Sequence, residues 1–173
     1  MKKILMGSLI VVFVLGMTAG CGKLPDERLI EKGKKFEEKM EFSEALARYE
    51  KLAKLYPRSP FKAEALYRAG FVYTNGLQDF PEAVSTLQRL IEEYPESGYA
   101  AQCQFIIGFI YANNDPDTAK ARLAYKTFLQ KYPDHKLVAS VKWELKYLGK
   151  DIEEIPELSR LDAESKMKSG GDK

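Results

Sequence analysis

The dipeptide Tyr-Pro occurs three times in this chain of 173 residues, and the interval is 38 residues each time. The three copies are Tyr56-Pro57, Tyr94-Pro95 and Tyr132-Pro133. An alanine precedes each pair and an aromatic residue follows it at the same interval: Ala45, Ala83 and Ala121, then Tyr67, Phe105 and Trp143. A fixed period kept over about a hundred residues indicates a repeat array, in which each unit packs on the next.

The residues within one period predict two helices. Apolar side chains recur between residues 44 and 55 at the spacing of an amphipathic helix. Pro57 ends that helix, because proline disfavours helical backbone in the residue before it. Ser59-Pro60 predicts the next helix start, with Ser59 as N-cap and Pro60 as the first helical residue. The second helix covers residues 63–73, and Asn75-Gly76 predicts the turn between the two helices of a pair.

The small and aromatic residues of each unit resemble the signature of the tetratricopeptide repeat. In repeat order the matching residues are Gly33, Phe36, Ala45, Tyr49, Leu52 and Pro57, then Gly70, Tyr73, Ala83, Leu87, Leu90 and Pro95, then Gly108, Tyr111, Ala121, Tyr125, Phe128 and Pro133. Repeats two and three have one extra residue between the glycine and the alanine. The resemblance implies an all-α, right-handed solenoid of about three helix-turn-helix repeats, whose glycine and alanine let two helices cross closely.

We expect the array to end with a capping helix over residues 138–148. Lys146 stands where the two preceding repeats have Gly70 and Gly108, so no further helix is expected to cross the last one. Lys142 and Lys146 would face water, as the outer face of a terminal repeat requires. The repeat domain therefore spans residues 26–149, and residues 150–173 predict a polar, disordered tail.

The first 25 residues predict a secreted lipoprotein. Lys2 and Lys3 precede an uncharged apolar stretch, residues 4–20, as in a secretory signal peptide. Residues 17–21, Met-Thr-Ala-Gly-Cys, resemble a bacterial lipobox with threonine in place of the usual leucine. That resemblance implies removal of residues 1–20 and acylation of Cys21, for example with palmitate, which leaves residues 21–25 as a tether. Several acyl chains, at about 0.8 kcal/mol per buried CH₂, would hold the protein to a membrane.

Two alternatives to the lipoprotein interpretation stay open, an uncleaved anchor helix and an ordinary secreted protein. Gly22 follows the cysteine where an aspartate would favour retention in the inner membrane. By resemblance to lipoproteins of two-membrane bacteria, its absence favours the outer membrane, on the periplasmic side.

Charge and chemistry exclude several function classes. Lys2 and Lys3 belong to the signal peptide, so the mature chain has 25 basic and 25 acidic residues and lacks the basic surface that nucleic acid binding needs. The single histidine, His135, aligns with Ser59 and Ser97 and predicts a loop or capping residue. Metal-ligand spacings and Gly-rich phosphate loops are absent from the sequence. We therefore expect no enzyme activity, no catalytic or metal-binding residues and no cofactor.

The second cysteine, Cys103, aligns with Ala65 and Val141. That position predicts a buried structural thiol, which burial makes unreactive. If Cys21 is acylated, Cys103 has no partner for an intramolecular disulfide.

An aromatic stripe recurs on the first helix of each pair. Its candidate partner-binding residues are Tyr67, Phe71, Phe105, Phe109, Trp143 and Tyr147. Positions four residues apart share a helix face, and by resemblance this face lines the concave groove of the solenoid. The polar rim would be Glu64, Asn75, Gln102 and Asn113. The helix from Gln104 to Tyr111 is apolar almost all round, which favours the groove. The alternative is that the rings pack between helices as core.

The longer repeat and the Tyr-Pro-x-Ser junctions resemble two envelope families, the BamD outer-membrane assembly lipoproteins and the C-terminal repeats of the TolA-binding protein. The first resemblance implies a lipid-anchored adaptor that binds protein partners in outer-membrane protein assembly. The second implies a coordinator of peptidoglycan or cell-division machinery of Tol type. A small-ligand-binding protein or an enzyme that depends on His135 is the remote alternative.

Overall fold

The computed structural model describes residues 24–114, 116–151, 154–156 and 160. The predicted signal peptide and lipidated Cys21 lie outside these residues. The described part of the chain contains helices and no strand, which confirms the all-α prediction. The helices are α1 (Pro25–Glu38), α2 (Phe42–Leu55), α3 (Lys62–Phe71), α4 (Phe80–Glu93), α5 (Ala100–Asn113), α6 (Thr118–Lys131) and α7 (Val138–Tyr147).

The helices pack in chain order as three hairpins and one final helix. The hairpins are α1/α2, α3/α4 and α5/α6, and α7 packs on α6. Each hairpin also packs on the next through α2/α3 and α4/α5. The prediction of about three repeats and a capping helix is therefore confirmed, and the core runs along the array instead of closing into a sphere.

Close helix crossings occur where the repeat pattern predicted them. Ala45, Ala83 and Ala121 are fully buried. A methyl group on Gly33, Gly70 or Gly108 would collide with a side chain of the second helix of the same hairpin. At Gly108 the colliding atom is in the ring of Tyr125, 2.5 Å from the position a Cβ would take. These small residues are therefore required by the hairpin geometry.

The junctions between repeats begin at the Tyr-Pro pairs, as predicted. Helices α2, α4 and α6 each end one residue before the tyrosine. The prediction of Ser59 as N-cap and Pro60 as first helical residue is wrong, since α3 begins at Lys62. The Ser59 carbonyl instead accepts the Lys62 N–H at 3.1 Å, which closes a tight turn before the helix. Its hydroxyl accepts the Phe61 N–H at 3.1 Å and stabilises that turn.

The extra residue of repeat two lies in a π-helical segment, Val72–Leu77, that continues α3. The predicted turn at Asn75-Gly76 is therefore helical, and the reversal comes later, at Gln78 (φ 55°). In repeat one the Phe36 carbonyl accepts the Glu41 N–H at 2.9 Å, five residues on, whereas in repeat two the Tyr73 carbonyl accepts from Asp79, six residues on. A π-turn absorbs one residue without breaking a helix.

The chain reverses beyond α7 and returns to the domain. Gly149 has φ +81°, a conformation that glycine adopts without strain. Ile155, within the segment predicted as a disordered tail, is buried. The disorder prediction is therefore wrong for Ile155, while most of the predicted tail lies outside the described residues. Within the described residues, no helix has the length and apolar character needed to cross a membrane.

Candidate partner-binding face

Three aromatic residues of the predicted stripe are exposed on the first helices of successive units. Phe71 on α3, Phe109 on α5 and Trp143 on α7 have exposed fractions of 40%, 41% and 42%. Phe71 and Phe109 occupy the same position of two repeats, so they lie on the same side of the array. We call the surface formed by Phe71, Phe109 and Trp143 the aromatic face.

The other three predicted groove residues contribute more to packing. Tyr67 stacks on Tyr99, with ring centroids 4.8 Å apart. Phe105 packs on Tyr125 at 6.1 Å. Tyr147 is buried. The stripe is therefore divided, because part of it forms core between helices and part of it remains open to a partner.

The apolar character of α5 was expected to favour a partner-binding groove, but the structure gives it a different cause. Half of its fourteen residues are buried, and α5 packs on both α4 and α6. Its apolar residues therefore serve mainly the contacts with these two neighbouring helices. This feature therefore does not support the groove, whereas the exposure of Phe109 does.

An ion-pair network lies beside the aromatic face at the repeat-one end. Glu64 Oε1 lies 2.6 Å from Lys34 Nζ and 2.9 Å from Arg68 Nε. Arg68 Nη1 also lies 3.1 Å from Glu37 Oε2, which accepts a hydrogen bond from the Tyr49 hydroxyl at 2.6 Å. Burial would raise the pKa of Glu64, but hydrogen bonds from Lys34 and Arg68 hold that pKa below its ordinary value. The network joins α1, α2 and α3 and neutralises most of its own charge.

Two asparagines follow the exposed phenylalanines by four residues. Asn75 Nδ2 donates to the Phe71 carbonyl at 3.3 Å, and Asn113 Nδ2 donates to the Phe109 carbonyl at 3.0 Å. Both side chains are exposed, as predicted for a polar rim. Of the other predicted rim residues, Gln102 is half-buried and Glu64 belongs to the ion-pair network. The rim beside the phenylalanines is therefore polar and uncharged.

The aromatic face ends in a pocket of about 360 Å³ between α5 and α7. Its walls include Asn113, Trp143, Glu144, Tyr147 and Ile155. Burial raises the pKa of the Glu144 carboxyl above its ordinary value. The pocket thus combines an apolar wall with a carboxyl group that is poorly solvated.

Two larger clefts lie between successive hairpins and away from the exposed phenylalanines. One, of about 600 Å³, is lined partly by the charged residues Glu50, Lys54 and Arg89. The other, of about 540 Å³, has Ile91 and Ile107 among its walls and the exposed Leu123 at its edge. They are related by the repeat, which makes them a consequence of the array geometry, and Leu123 is a useful reference position outside the aromatic face.

The two residues with potential chemistry have structural surroundings. His135 Nδ1 accepts the Leu137 N–H at 3.2 Å, which is the bond that the Ser59 and Ser97 hydroxyls accept in their own repeats. His135 therefore lies in the junction loop, which is one of the two predicted roles, and it stabilises the turn before α7 without capping the helix. Cys103 is fully buried, as predicted, and burial raises the pKa of its thiol to about 12. Among the residues described by the structure, no group of three or more His, Cys, Asp or Glu side chains could hold a metal ion.

Comparison with known families agrees with this geometry. Residues 64–97 and 102–135 match the tetratricopeptide repeat family. These matches cover most of the hairpins α3/α4 and α5/α6, and α1/α2 has the same small-residue crossings. The fold is thus an all-α helical repeat array of tetratricopeptide type, and such repeats typically bind proteins instead of catalysing reactions. No curated protein matches the chain.

The sequence analysis did not identify several residues that stabilise the helices of the array or lie beside the aromatic face. The N-caps Asp79 and Asp117 accept backbone N–H groups at 3.3 and 2.9 Å, and a signal was present, because aspartate at a helix start is a favoured cap. Ile155 gave no signal, since it lies outside the period. The Glu64–Arg68 pair did have a signal, because a glutamate four residues before an arginine shares its helix face. The contacts of Lys34 with Glu64 and of Arg68 with Glu37 gave none, because they join residues of different repeats.

Proposed function

We propose that the mature protein is a lipid-anchored adaptor that binds partner proteins through the aromatic face. The observation that carries this proposal is the exposure of Phe71 and Phe109 at the same position of two successive tetratricopeptide repeats. Large aromatic side chains that stay open to solvent at matching positions form an apolar surface, and such surfaces commonly bind other proteins.

The position of this face supports the same proposal. Phe71 and Phe109 hold the same position of successive first helices, and the exposed side chains of Asn75 and Asn113 beside them offer hydrogen-bonding groups to a bound backbone. An apolar centre with a polar rim is the usual composition of a protein interface. A segment with apolar side chains would bury the two rings and hydrogen-bond at their edges.

The test is a paired measurement of binding and stability. We expect the double variant Phe71→Ala/Phe109→Ala to lose most partner recovery from detergent-solubilised membranes, while its melting temperature falls by only a few degrees. Leu123→Ala is the matched control, since it removes an exposed apolar side chain outside the face. A large loss of melting temperature in the double variant would instead assign both rings to the core.

The anchor is part of the proposal and is supported by residues 17–21 and the preceding apolar stretch. Intact mass of the protein purified from its membrane tests it. We expect the mass of residues 21–173 plus acyl chains, and a Cys21→Ala variant without them. An unmodified mass of the wild-type chain would contradict the lipid anchor, and the proposal of partner binding through the aromatic face would not be affected.

We further propose that the adaptor acts at the outer membrane, in protein assembly there. This step rests on the resemblance of the repeats and junctions to the BamD family, and the Tol-type alternative rests on a resemblance of the same kind. Mass spectrometry of the recovered partners separates the two. Barrel-assembly proteins would support the first role, and Tol or peptidoglycan-synthesis proteins would support the second.

A further inference from the structure

One position of the repeat carries an aromatic ring three times, and the three rings differ sharply in exposure. Phe71 and Phe109 are 40% and 41% exposed, whereas Tyr147 is 6% exposed. The three rings hold the same repeat position, but α7 ends at Tyr147, whereas α5 continues to Asn113 and α3 continues as the π-helical segment. Something beyond the repeat covers Tyr147.

The chain itself provides part of that cover. Gly149 reverses the backbone after α7, and the Lys150 N–H bonds back to the Tyr147 carbonyl at 3.0 Å. Ile155, which is 5% exposed, lines the same pocket as Tyr147 and Trp143. An aliphatic side chain from a non-repeat segment is therefore buried at the wall of the pocket in which the aromatic face ends.

Other groups complete the surroundings of Tyr147. The Trp143 ring lies 5.0 Å away, and the ammonium groups of Lys146 and Lys150 lie 4.5 and 5.6 Å from the Tyr147 ring centroid. These groups hold the ring in place. They do not account for the burial of Ile155, which is itself an apolar side chain removed from water.

We propose that Phe71, Phe109 and Tyr147 mark three equivalent seats for aliphatic side chains, and that Ile155 occupies the third seat from within the chain. The partner would then be a segment with spaced aliphatic side chains that fill the seats at Phe71 and Phe109. This inference rests on the proposed function and adds the chemical class of the partner.

The surroundings of the open seats favour an aliphatic side chain over a charged one. Each exposed phenylalanine is followed by an uncharged asparagine, and the nearby charges of Lys34, Glu64 and Arg68 are paired with one another. A charged side chain would lose hydration there without gaining an unpaired opposite charge. An isoleucine or leucine would bury apolar surface against the ring.

The test uses the full chain and a synthetic peptide with the sequence of residues 151–164. Trp143 is the single tryptophan of the protein, so its fluorescence reports on the third seat. We expect Ile155→Asp to shift Trp143 emission to longer wavelength and to increase quenching by acrylamide. Adding the peptide should reverse both changes in a saturable way, and a peptide carrying the same Ile155→Asp change should not.

The wild-type chain serves as the matched control. Its own segment competes at an effective concentration on the order of millimolar, so half-saturation by the peptide should need at least tenfold more peptide than in the variant. Unchanged emission in Ile155→Asp, with a helical circular dichroism spectrum, would overturn the occupancy of the third seat. If the variant does not fold, Ile155→Ala provides the same comparison with a smaller shift.

A second reporter tests the equivalence of the seats. In a Trp143→Phe background, Phe109→Trp places the fluorophore at the middle seat. We expect the peptide of residues 151–164 to shift the emission of the tryptophan introduced at position 109. The same peptide with the Ile155→Asp change should leave that emission unchanged, and equal responses to both peptides would overturn the inference. Because these measurements need no cellular partner, their failure is distinct from a failure of the partner-recovery experiment above.

Discussion

Single residues decide how closely the helices of this array approach each other. Gly33, Gly70 and Gly108 stand where a side chain of the second helix crosses the first, and a methyl group at any of them would collide with that side chain. The effect is steric and local, since all three lie within helices where alanine would otherwise be preferred. The glycines are therefore needed for hairpin packing rather than for backbone flexibility.

Gly108→Ala should destabilise the protein by about 1–3 kcal/mol, as expected when a tightly packed site is overfilled. Gly98→Ala is the matched control, because nothing lies within 4 Å of the position its Cβ would take. Urea unfolding followed by circular dichroism measures both. Equal stability of the two variants would contradict the close crossing at Tyr125.

His135 shows that one hydrogen bond can be kept while the residue type changes. Its Nδ1 accepts the N–H two residues on, as the hydroxyls of Ser59 and Ser97 do in the earlier junctions. We expect His135→Ala to cost about 0.5–1.5 kcal/mol, the usual net value of such a bond. His135→Ser should restore most of that loss. A larger loss in the serine variant than in the alanine variant would contradict the shared role.

At the scale of the helix, starts and lengths are set by different features in different repeats. Asp79 and Asp117 cap α4 and α6 with side-chain carboxylates, whereas Glu41 at the start of α2 makes no such bond. The extra residue lies in the π-helical segment, Val72–Leu77, in repeat two and in the turn after α5 in repeat three, where the Tyr111 carbonyl also accepts an N–H six residues on. Repeats of unequal length can therefore keep the same hairpin geometry.

Removing the Asp79 cap should lower stability by about 1 kcal/mol, the typical cost of replacing a helix N-cap by alanine, and removing the Asp117 cap should also lower it. Asp79→Ala and Asp117→Ala are to be compared with Glu41→Ala, which should be close to neutral. Differential scanning calorimetry of the three variants checks this. A loss in Glu41→Ala as large as in the others would mean that charge near the helix start, and not the side-chain hydrogen bond, is responsible.

Much of this helix-level structure could be predicted from the sequence, because the 38-residue period constrains every unit at once. The Tyr-Pro pairs located the ends of α2, α4 and α6, and the glycine–alanine pattern located the crossings. The π-helical segment could not be predicted, since Asn75-Gly76 has the composition of a turn although its residues are helical and the Gly76 backbone lies against the Phe42 ring. Local propensity was overridden there by tertiary contacts.

The candidate site was less predictable, because exposure depends on neighbours outside the period. The six stripe residues were identified, but their sequence positions do not distinguish exposed Phe109 from buried Tyr147. That difference arises where Ile155 returns to the domain, a long-range contact that no repeat pattern indicates. The interactions that decide which rings stay open are properties of the complete fold.

For the whole molecule, ion pairs within and between the repeats make stability depend on pH. Burial would raise the pKa values of Glu64 and Glu93, but hydrogen bonds from Lys34 and Arg68, and from Lys62 and Arg89, hold both below the ordinary value. The unfolded chain therefore takes up protons at these groups before the folded chain does. Their contribution to stability is present at neutral pH and is lost as pH falls below about 4.5.

Glu144 acts in the opposite direction, because burial raises the pKa of its carboxyl in the folded chain. We expect Glu144→Gln to raise the melting temperature at pH 7, by a degree or so, and to lose this advantage as pH falls through the raised pKa.

Glu64→Gln should lower the melting temperature at pH 7 and make the melting temperature fall less steeply toward acidic pH. Thermal melts between pH 3 and 8 measure both, with the exposed Glu92→Gln as control. A Glu64→Gln profile parallel to that of the wild type would contradict the assigned ion pairs.

The most direct test of the partner-binding face is site-specific photo-crosslinking in cells that make the full chain. A photoreactive phenylalanine analogue would replace Phe71, Phe109 or Leu123 in turn. We predict that positions 71 and 109 crosslink to the same partner protein and that position 123 does not. Crosslinks from position 123, with none from positions 71 and 109, would contradict the account and move the binding surface to the cleft between hairpins.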